Sequence, residues 1–216
     1  MDKENSKILA QHLAHPEGEK GIEIGEMMNA TNIGMTLESI HALVIEDHEH
    51  ILEIGHGNAD HVKHILNKAR NINYTGIDIS ETMHQEAIRL NEAFGNQAEF
   101  RLYDGQALPF GDQTFDKIFT VNTVYFWQQP VQYLNEIYRV LKDSGAFVLT
   151  FGQRDFMEKL PFTEFGFRLY NTDEMEETVS KSHFKRMQIS ERQEDVKSKT
   201  GNETLTRNYT ILTIKK

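Results

Sequence analysis

The sequence predicts an α/β fold: a doubly wound, mostly parallel sheet, edged by an antiparallel C-terminal hairpin and preceded by an N-terminal helical cap. Three observations predict it. Between about residues 50 and 151, short apolar strands alternate with amphipathic helices, the pattern of βαβ units. The end of the chain reads as helix, strand, turn, strand, with two β-rich segments close enough to form a hairpin. The first 48 residues lack this alternation, carry several glycines and read as helical and irregular. The chain accordingly divides into a leader over 1–48 and one globular unit over 49–216.

The strands follow in order as HILEI (50–54), NYTGI (73–77), AEFRLY (98–103), FDKIFTV (115–121) and GAFVLTF (145–151). Each is short, apolar or β-rich, and followed by turn or capping residues. Among the helices PVQYLNEIYRVL (130–141) is the clearest. Val131, Leu134, Ile137, Tyr138 and Leu141 recur at three–four spacing, and Pro130 suits a first helical turn. Asn171 and Glu174 form a capping pair before a helix running to about Ser182. The last two strands, FKRMQISERQEDV and ETLTRNYTILTIKK, turn near KTGN (199–202). With them the sheet counts seven strands.

Composition narrows the function. A chain of 216 residues with 38% hydrophobic content can bury one sizeable core. A net charge of −10 opposes nonspecific nucleic-acid binding, and the short basic run Lys197–Lys199 reads as a solvated hairpin end. The chain has no cysteine, which excludes disulfides and thiolate chemistry. The N-terminus lacks the apolar core of a signal peptide, and no stretch approaches the roughly 20 apolar residues of a membrane span. The expectation is a soluble, cytoplasmic protein without a membrane span.

The turn Gly55–His56–Gly57 follows the first strand, where open α/β sheets bind ligands. Glycines allow a sharp turn and close approach to a ligand, and a helix starting near Asn58 would aim free N–H groups at an anion. A plain strand-to-helix corner also favours glycine, so this motif alone leaves both readings open. The dinucleotide fingerprint wants a third glycine where this chain has Asp60, whose carboxylate would face the pyrophosphate. No Lys–Ser/Thr pair follows to make a phosphate P-loop.

Two further acids narrow the ligand. Asp78 ends the second strand, where a carboxylate accepts from a ribose diol. Asp104 follows the third, where it or its backbone accepts from an exocyclic amine, with Ile79 placed to cover an adenine face. Each acid alone reads more readily as a helix cap or turn residue, but Glu53, Asp78 and Asp104 stand together near the ends of successive strands, which is less easily coincidental. His61 and His64 are about one helical turn apart, near His56 and Asp60. They match no zinc spacing and are assigned to a solvated helix face, with no metal site expected. His56 is expected beside the ligand.

These residues resemble a class I S-adenosylmethionine-dependent methyltransferase over about residues 50–151. LEIGHGNA is similar to that family's glycine-rich first motif and GIDIS to its second. LYDGQALPFGDQTFDKIFTVNTVYFW resembles the segment from adenine site to fourth strand, and EIYRVLKDSGAFVLT the following helix and fifth strand. The nearest subgroup is the small-molecule enzymes resembling ubiquinone/menaquinone C-methyltransferases, with a methyltransferase type 11 domain. The resemblance implies a Rossmann-like seven-stranded sheet and S-adenosyl-L-methionine as cofactor. It implies that Glu53, Gly55, His56 and Gly57 hold the methionine end and Asp78 the ribose. Ile79, Asp104, Gly105 and Gln106 would border the adenine, and Asn122 would meet the amino-acid part. Ala59 departs from the family, many of whose members have a third glycine there, and LKDSG replaces a frequent Pro-Gly-Gly turn. The leader resembles segments that cap the cofactor in some members, which makes Met28, Asn29 and Asn32 candidates to face the site.

Methyl transfer from a sulfonium is an in-line displacement in which the cofactor carries the activated group. The protein supplies proximity, alignment and dry walls, and a base only if the acceptor must lose a proton. No catalytic residue follows from the motifs. Tyr125, Phe126 and Trp127 follow the fourth strand and could line an acceptor pocket or favour the sulfonium charge, or simply fill the core. The expected partner is a small-molecule acceptor, methylated on carbon, oxygen or nitrogen. Two alternatives remain at this level. One is a noncatalytic S-adenosylmethionine-binding module. The other, disfavoured by Asp60, is an NAD(P)-dependent oxidoreductase.

Overall fold

The computed structural model describes residues 2–197 and 204–216. The hairpin turn expected near 199–202 lies outside the described residues, and so do the side chains of the basic run 197–199. Seven strands form one sheet: β1 (His50–Ile54), β2 (Asn73–Asp78), β3 (Ala98–Leu102), β4 (Phe115–Val121), β5 (Leu141–Gly152), β6 (Arg186–Lys197) and β7 (Thr204–Lys215). Their order is β3-β2-β1-β4-β5-β7-β6. The first five are mutually parallel, and β7 runs antiparallel to both β5 and β6. This is the expected parallel sheet with an antiparallel C-terminal hairpin. From β1 the chain moves outward to β2 and β3, then returns to β4 on the other side of β1. The adjacent β1 and β4 therefore form the topological switch point, where a crevice opens beyond the strand ends.

The central strands are buried on both faces. Leu52, Ile54, Ile118, Phe147 and Leu149 pack to one side, and Ile51, Phe119 and Val148 to the other. Double burial explains why these strands read as apolar runs rather than as strict alternation. Among the described residues seven α-helices cover the faces and edges: α1 (Lys3–Ala14), α2 (Gly18–Ala42), α3 (Val62–Leu66), α4 (Glu81–Asn91), α5 (Pro130–Val140), α6 (Arg154–Met157) and α7 (Thr172–Ser180). α7 carries the expected capping box between Asn171 and Glu174. No helix among the described residues is long and apolar enough to cross a membrane.

Three local expectations are corrected. The leader is regular: α2 is one helix of 25 residues. Its glycines mark close packing, since a Cβ at Gly21 would lie 2.8 Å from the Pro16 carbonyl carbon and one at Gly25 2.7 Å from Met83 Sδ. α2 buries Met35 and Ile40 in the same apolar cluster as Ile51 and Phe119. Its Ser39 hydroxyl also pairs with that of Thr150 at 2.7 Å.

The helix expected near Asn58 begins only at Val62 and lasts five residues. Ala59 has φ +57°, a left-handed conformation that no right-handed helix can include. Finally, α5 stops at Val140 because Leu141 is extended and pairs with Phe115. Regular pairing resumes only at Lys117 with Ala146, so LKDSG sits in a register shift.

Candidate functional site

The crevice at the switch point holds a cleft of about 190 Å³. The glycine turn forms its floor. Gly55 (φ +75°) and Gly57 (φ +57°) both adopt conformations that disfavour side chains. A Cβ on Gly55 would also run into Thr123 Cγ2. Thr123 is held by the Thr120 hydroxyl at 2.6 Å, and Thr120 in turn donates to the Ile54 carbonyl at 2.7 Å. The turn is thus locked against the end of β4.

Two carboxylates face this floor. Glu53, 3% exposed, is the buried acid of β1. Its Oε2 accepts from the Tyr74 hydroxyl at 2.5 Å and pairs with His61 Nε2 at 2.8 Å. Its Oε1 has no hydrogen-bond partner among the described residues, and Glu53 lines the cleft. Burial, then the Glu53 charge, pushes the Tyr74 phenol well above its ordinary range, so it stays a donor. Asp78 at the end of β2 accepts from Gly57 N at 3.0 Å and from Ser80 N at 2.9 Å. It ties the glycine turn to the second strand and keeps further lone pairs for a ligand.

His56 packs beneath the turn. Its Nδ1 lies 2.7 Å from the Gly57 carbonyl, which can only accept, so Nδ1 carries the proton. Its Nε2 is buried and has no hydrogen-bond partner among the described residues. Burial lowers its pKa, and the ring is neutral, set edge-on to Phe100 at 5.1 Å between centroids. Gly76 in β2 makes room for it: a Cβ there would stand 2.8 Å from His56 Cδ2.

The other walls come from separate elements. Ile79, Tyr103 and Gly105 form a largely apolar slot past β2 and β3. Tyr103 donates to or accepts from Tyr133 at 2.8 Å, and burial pushes its phenol up to about 12. Met28, Asn29 and Asn32 of α2 close the cleft from above, and Asn122, Phe126 and Trp127 complete it beyond β4. Asn122, at φ +60°, uses Oδ1 to accept from the Tyr125 hydroxyl and from Gly152 N.

Several candidates lie elsewhere than the sequence suggested. Asp104 and Gln106 are exposed and do not line the cleft. Asp104 Oδ1 instead accepts from Gln106 N at 2.9 Å, closing its own turn. Tyr125 is buried and does not line this cleft: its hydroxyl is directed to Asn122 and the Gly152 carbonyl, and it borders a second cavity. Asp60 also turns away, toward Lys63 at 3.2 Å and Asn29 at 3.5 Å, so the cleft's acidity comes from Glu53 and Asp78. His61 is not on a solvated face: it is 5% exposed and held by Glu53, whereas His64 is exposed.

Sequence reasoning missed Tyr74, Gly76 and His61. The available signals were a glycine inside a strand, which marks close approach, and a strand acid that needs buried partners.

Comparison with known proteins bears on the domain and its fold. Residues 52–149 match the family described as Methyltransferase domain. The Bacillus subtilis protein YrhH, provisionally named a methyltransferase, is 35% identical over 112 residues, 51% of this chain and 62% of its own length. The ubiquinone/menaquinone biosynthesis C-methyltransferase UbiE of Roseobacter denitrificans is 33% identical over 107 residues, 48% of this chain and 42% of its own. The matched stretch is therefore less than two thirds of either relative. A SAM-dependent methyltransferase from Aquifex aeolicus shares the fold, with a TM-score of 0.64 at 15% identity, over 99% of this chain and 98% of that one. Residues 52–149 are thus similar to the methyltransferase domain, and the chain shares the fold of S-adenosylmethionine-dependent methyltransferases.

Proposed function

We propose that this chain transfers the methyl group of S-adenosylmethionine to a small-molecule acceptor. One observation carries the reading: Glu53 and Asp78 converge across the Gly55–Gly57 turn on a cleft that continues into the slot of Ile79, Tyr103 and Gly105. The family's cofactor presents an ammonium group, a ribose diol and an adenine ring. The free oxygen of Glu53 suits the ammonium, the carboxylate of Asp78 the diol and the apolar slot the adenine. Asp104 and Gln106 would contribute at the rim. Asn122, Met28 and Asn29 would close around the methionine end.

The bound cofactor supplies an activated methyl group on a cationic sulfur. The chain's residues fix its orientation and exclude water. Phe126 and Trp127 line the cleft where aromatic faces favour a sulfonium charge.

Isothermal titration with S-adenosylmethionine and S-adenosylhomocysteine tests the reading. Binding of both is expected. Failure of folded protein to bind either overturns it. Binding without turnover on any acceptor would favour a noncatalytic module instead.

A further inference from the structure

A second cavity of about 70 Å³ lies beside the cleft. Leu160, Phe162 and Phe167 form one side, and Val196 and Leu205, from the far end of the β6–β7 hairpin, form the other. It shares Leu13, Met28, Asn32, Asn122 and Phe126 with the cleft, so the two spaces meet at those side chains. The volume is about half the roughly 150 Å³ of an engineered apolar cavity that holds benzene, and the opening to the cleft adds room.

Arg207 is the charged lining residue, and it is only 4% exposed. It pairs with Glu194 Oε1 at 2.7 Å, donates to the Thr31 carbonyl at 2.9 Å and donates to Asn32 Oδ1 at 3.0 Å. A guanidinium has no acceptor, so the Asn32 atom facing it is the oxygen. The Asn32 NH₂ is thereby turned away from Arg207. It has no partner among the described residues, on a side chain that borders both cavities. The junction offers a hydrogen-bond donor.

It offers no base. Among the described residues the second cavity is lined by no Asp, Glu, His or Lys. The Tyr125 hydroxyl is shared between Asn122 Oδ1 and the Gly152 carbonyl, both at 3.0 Å, and burial holds the phenol protonated. An acceptor that had to yield a proton to a side chain here would find none to take it.

Resting on the methyltransferase reading, we propose that this cavity takes the acceptor, and that the acceptor is a small apolar acid arriving already ionised. Its apolar body lies among Leu160, Phe162 and Phe167, and its anionic oxygen meets the Asn32 amide. Arg207 is a positioning residue that fixes the orientation of that amide. In the transfer, a carboxylate lone pair forms the new C–O bond while the C–S bond breaks. The C–S pair stays on sulfur, the two opposite charges cancel and no proton moves.

The test is isothermal titration with phenylacetate, phenylacetamide and phenethylamine, each with and without S-adenosylhomocysteine. Phenylacetate is expected to bind at least tenfold more tightly than either of the others. Leu160→Trp, at a half-buried position outside the cofactor cleft, should abolish phenylacetate binding and leave S-adenosylhomocysteine affinity unchanged. Asn32→Asp, which replaces the donor by a carboxylate, should reverse the preference toward phenethylamine, a result that mere loss of packing would not give. Equal binding of acid and amide, preference of the wild type for the amine, or phenylacetate binding that survives Leu160→Trp would overturn the proposal. Failure of S-adenosylhomocysteine alone to bind overturns the methyltransferase reading instead, and the titrations without it still test the cavity.

Discussion

Replacing Gly76 by alanine tests how the glycine turn is supported. The added Cβ would lie 2.8 Å from His56 Cδ2, 3.1 Å from His56 Cγ and 2.9 Å from the Tyr74 hydroxyl oxygen. Ordinary carbon contacts begin near 3.5 Å, so the neighbours would have to yield by roughly half an ångström. Neither is free to do so. The His56 ring is bonded to the Gly57 carbonyl and packed on Phe100, and the Tyr74 hydroxyl is bonded to buried Glu53. Overpacking of this kind costs about 1–3 kcal/mol. At about 2–4 °C per kcal/mol for a domain of this size, thermal unfolding monitored by circular dichroism should show the loss clearly. Affinity for S-adenosylhomocysteine should fall as well, because displacing His56 moves the turn proposed to bind it. A double-mutant cycle isolates the contact. In a His56→Ala background the ring is gone, and Gly76→Ala should cost about 0.5–3 kcal/mol less than in the wild type. Full additivity, or an unchanged melting temperature, would refute the argument that Gly76 exists to seat His56.

Asp78→Asn should weaken S-adenosylhomocysteine binding by about 1.5–3 kcal/mol, the scale of a charged hydrogen bond, because an amide cannot accept from Gly57 N and Ser80 N through both ends. Unchanged affinity in a titration would remove Asp78 from the site. Burial lowers the pKa of His56, and to a lesser burial that of His50, below the ordinary 6.5. Below pH 6.5 the unfolded chain therefore binds more protons than the folded one. Stability should fall with pH from there down through the lowered folded values, at up to about 1.4 kcal/mol per pH unit for each group. Urea unfolding between pH 7.5 and 5.5 measures this, and a stability that rose on acidification would contradict it. Asn171→Ala removes one half of the capping box on α7 and should cost about 1 kcal/mol in the same urea assay, with cofactor affinity untouched. A matching loss of affinity would show that α7 communicates with the cleft.

What the sequence determined by itself was set by local chemistry. The alternation of apolar strands with amphipathic helices specified the parallel sheet, because each period is a property of neighbouring residues. The Asn171–Glu174 cap and the Pro130 helix start were legible for the same reason, since their partners lie within a turn. Gly55, Gly57 and Asp78 could be read as a site because strand ends in such a sheet converge by topology, whatever the packing. Tertiary structure decided what depends on residues far apart in the chain. The glycines of α2 look like breaks until Pro16 and Met83 are seen against them. Asp104 has the sequence position of a ligand residue, yet its carboxylate satisfies its own turn and leaves the cleft to Gly105 and Tyr103. His61 read as a solvated histidine, but a buried Glu53 needs partners, and the fold brings His61 and Tyr74 to the same carboxylate oxygen. The second cavity was illegible, because it joins α2, the 156–167 segment and the terminal hairpin, and only packing brings Asn32 and Arg207, 175 residues apart, into contact.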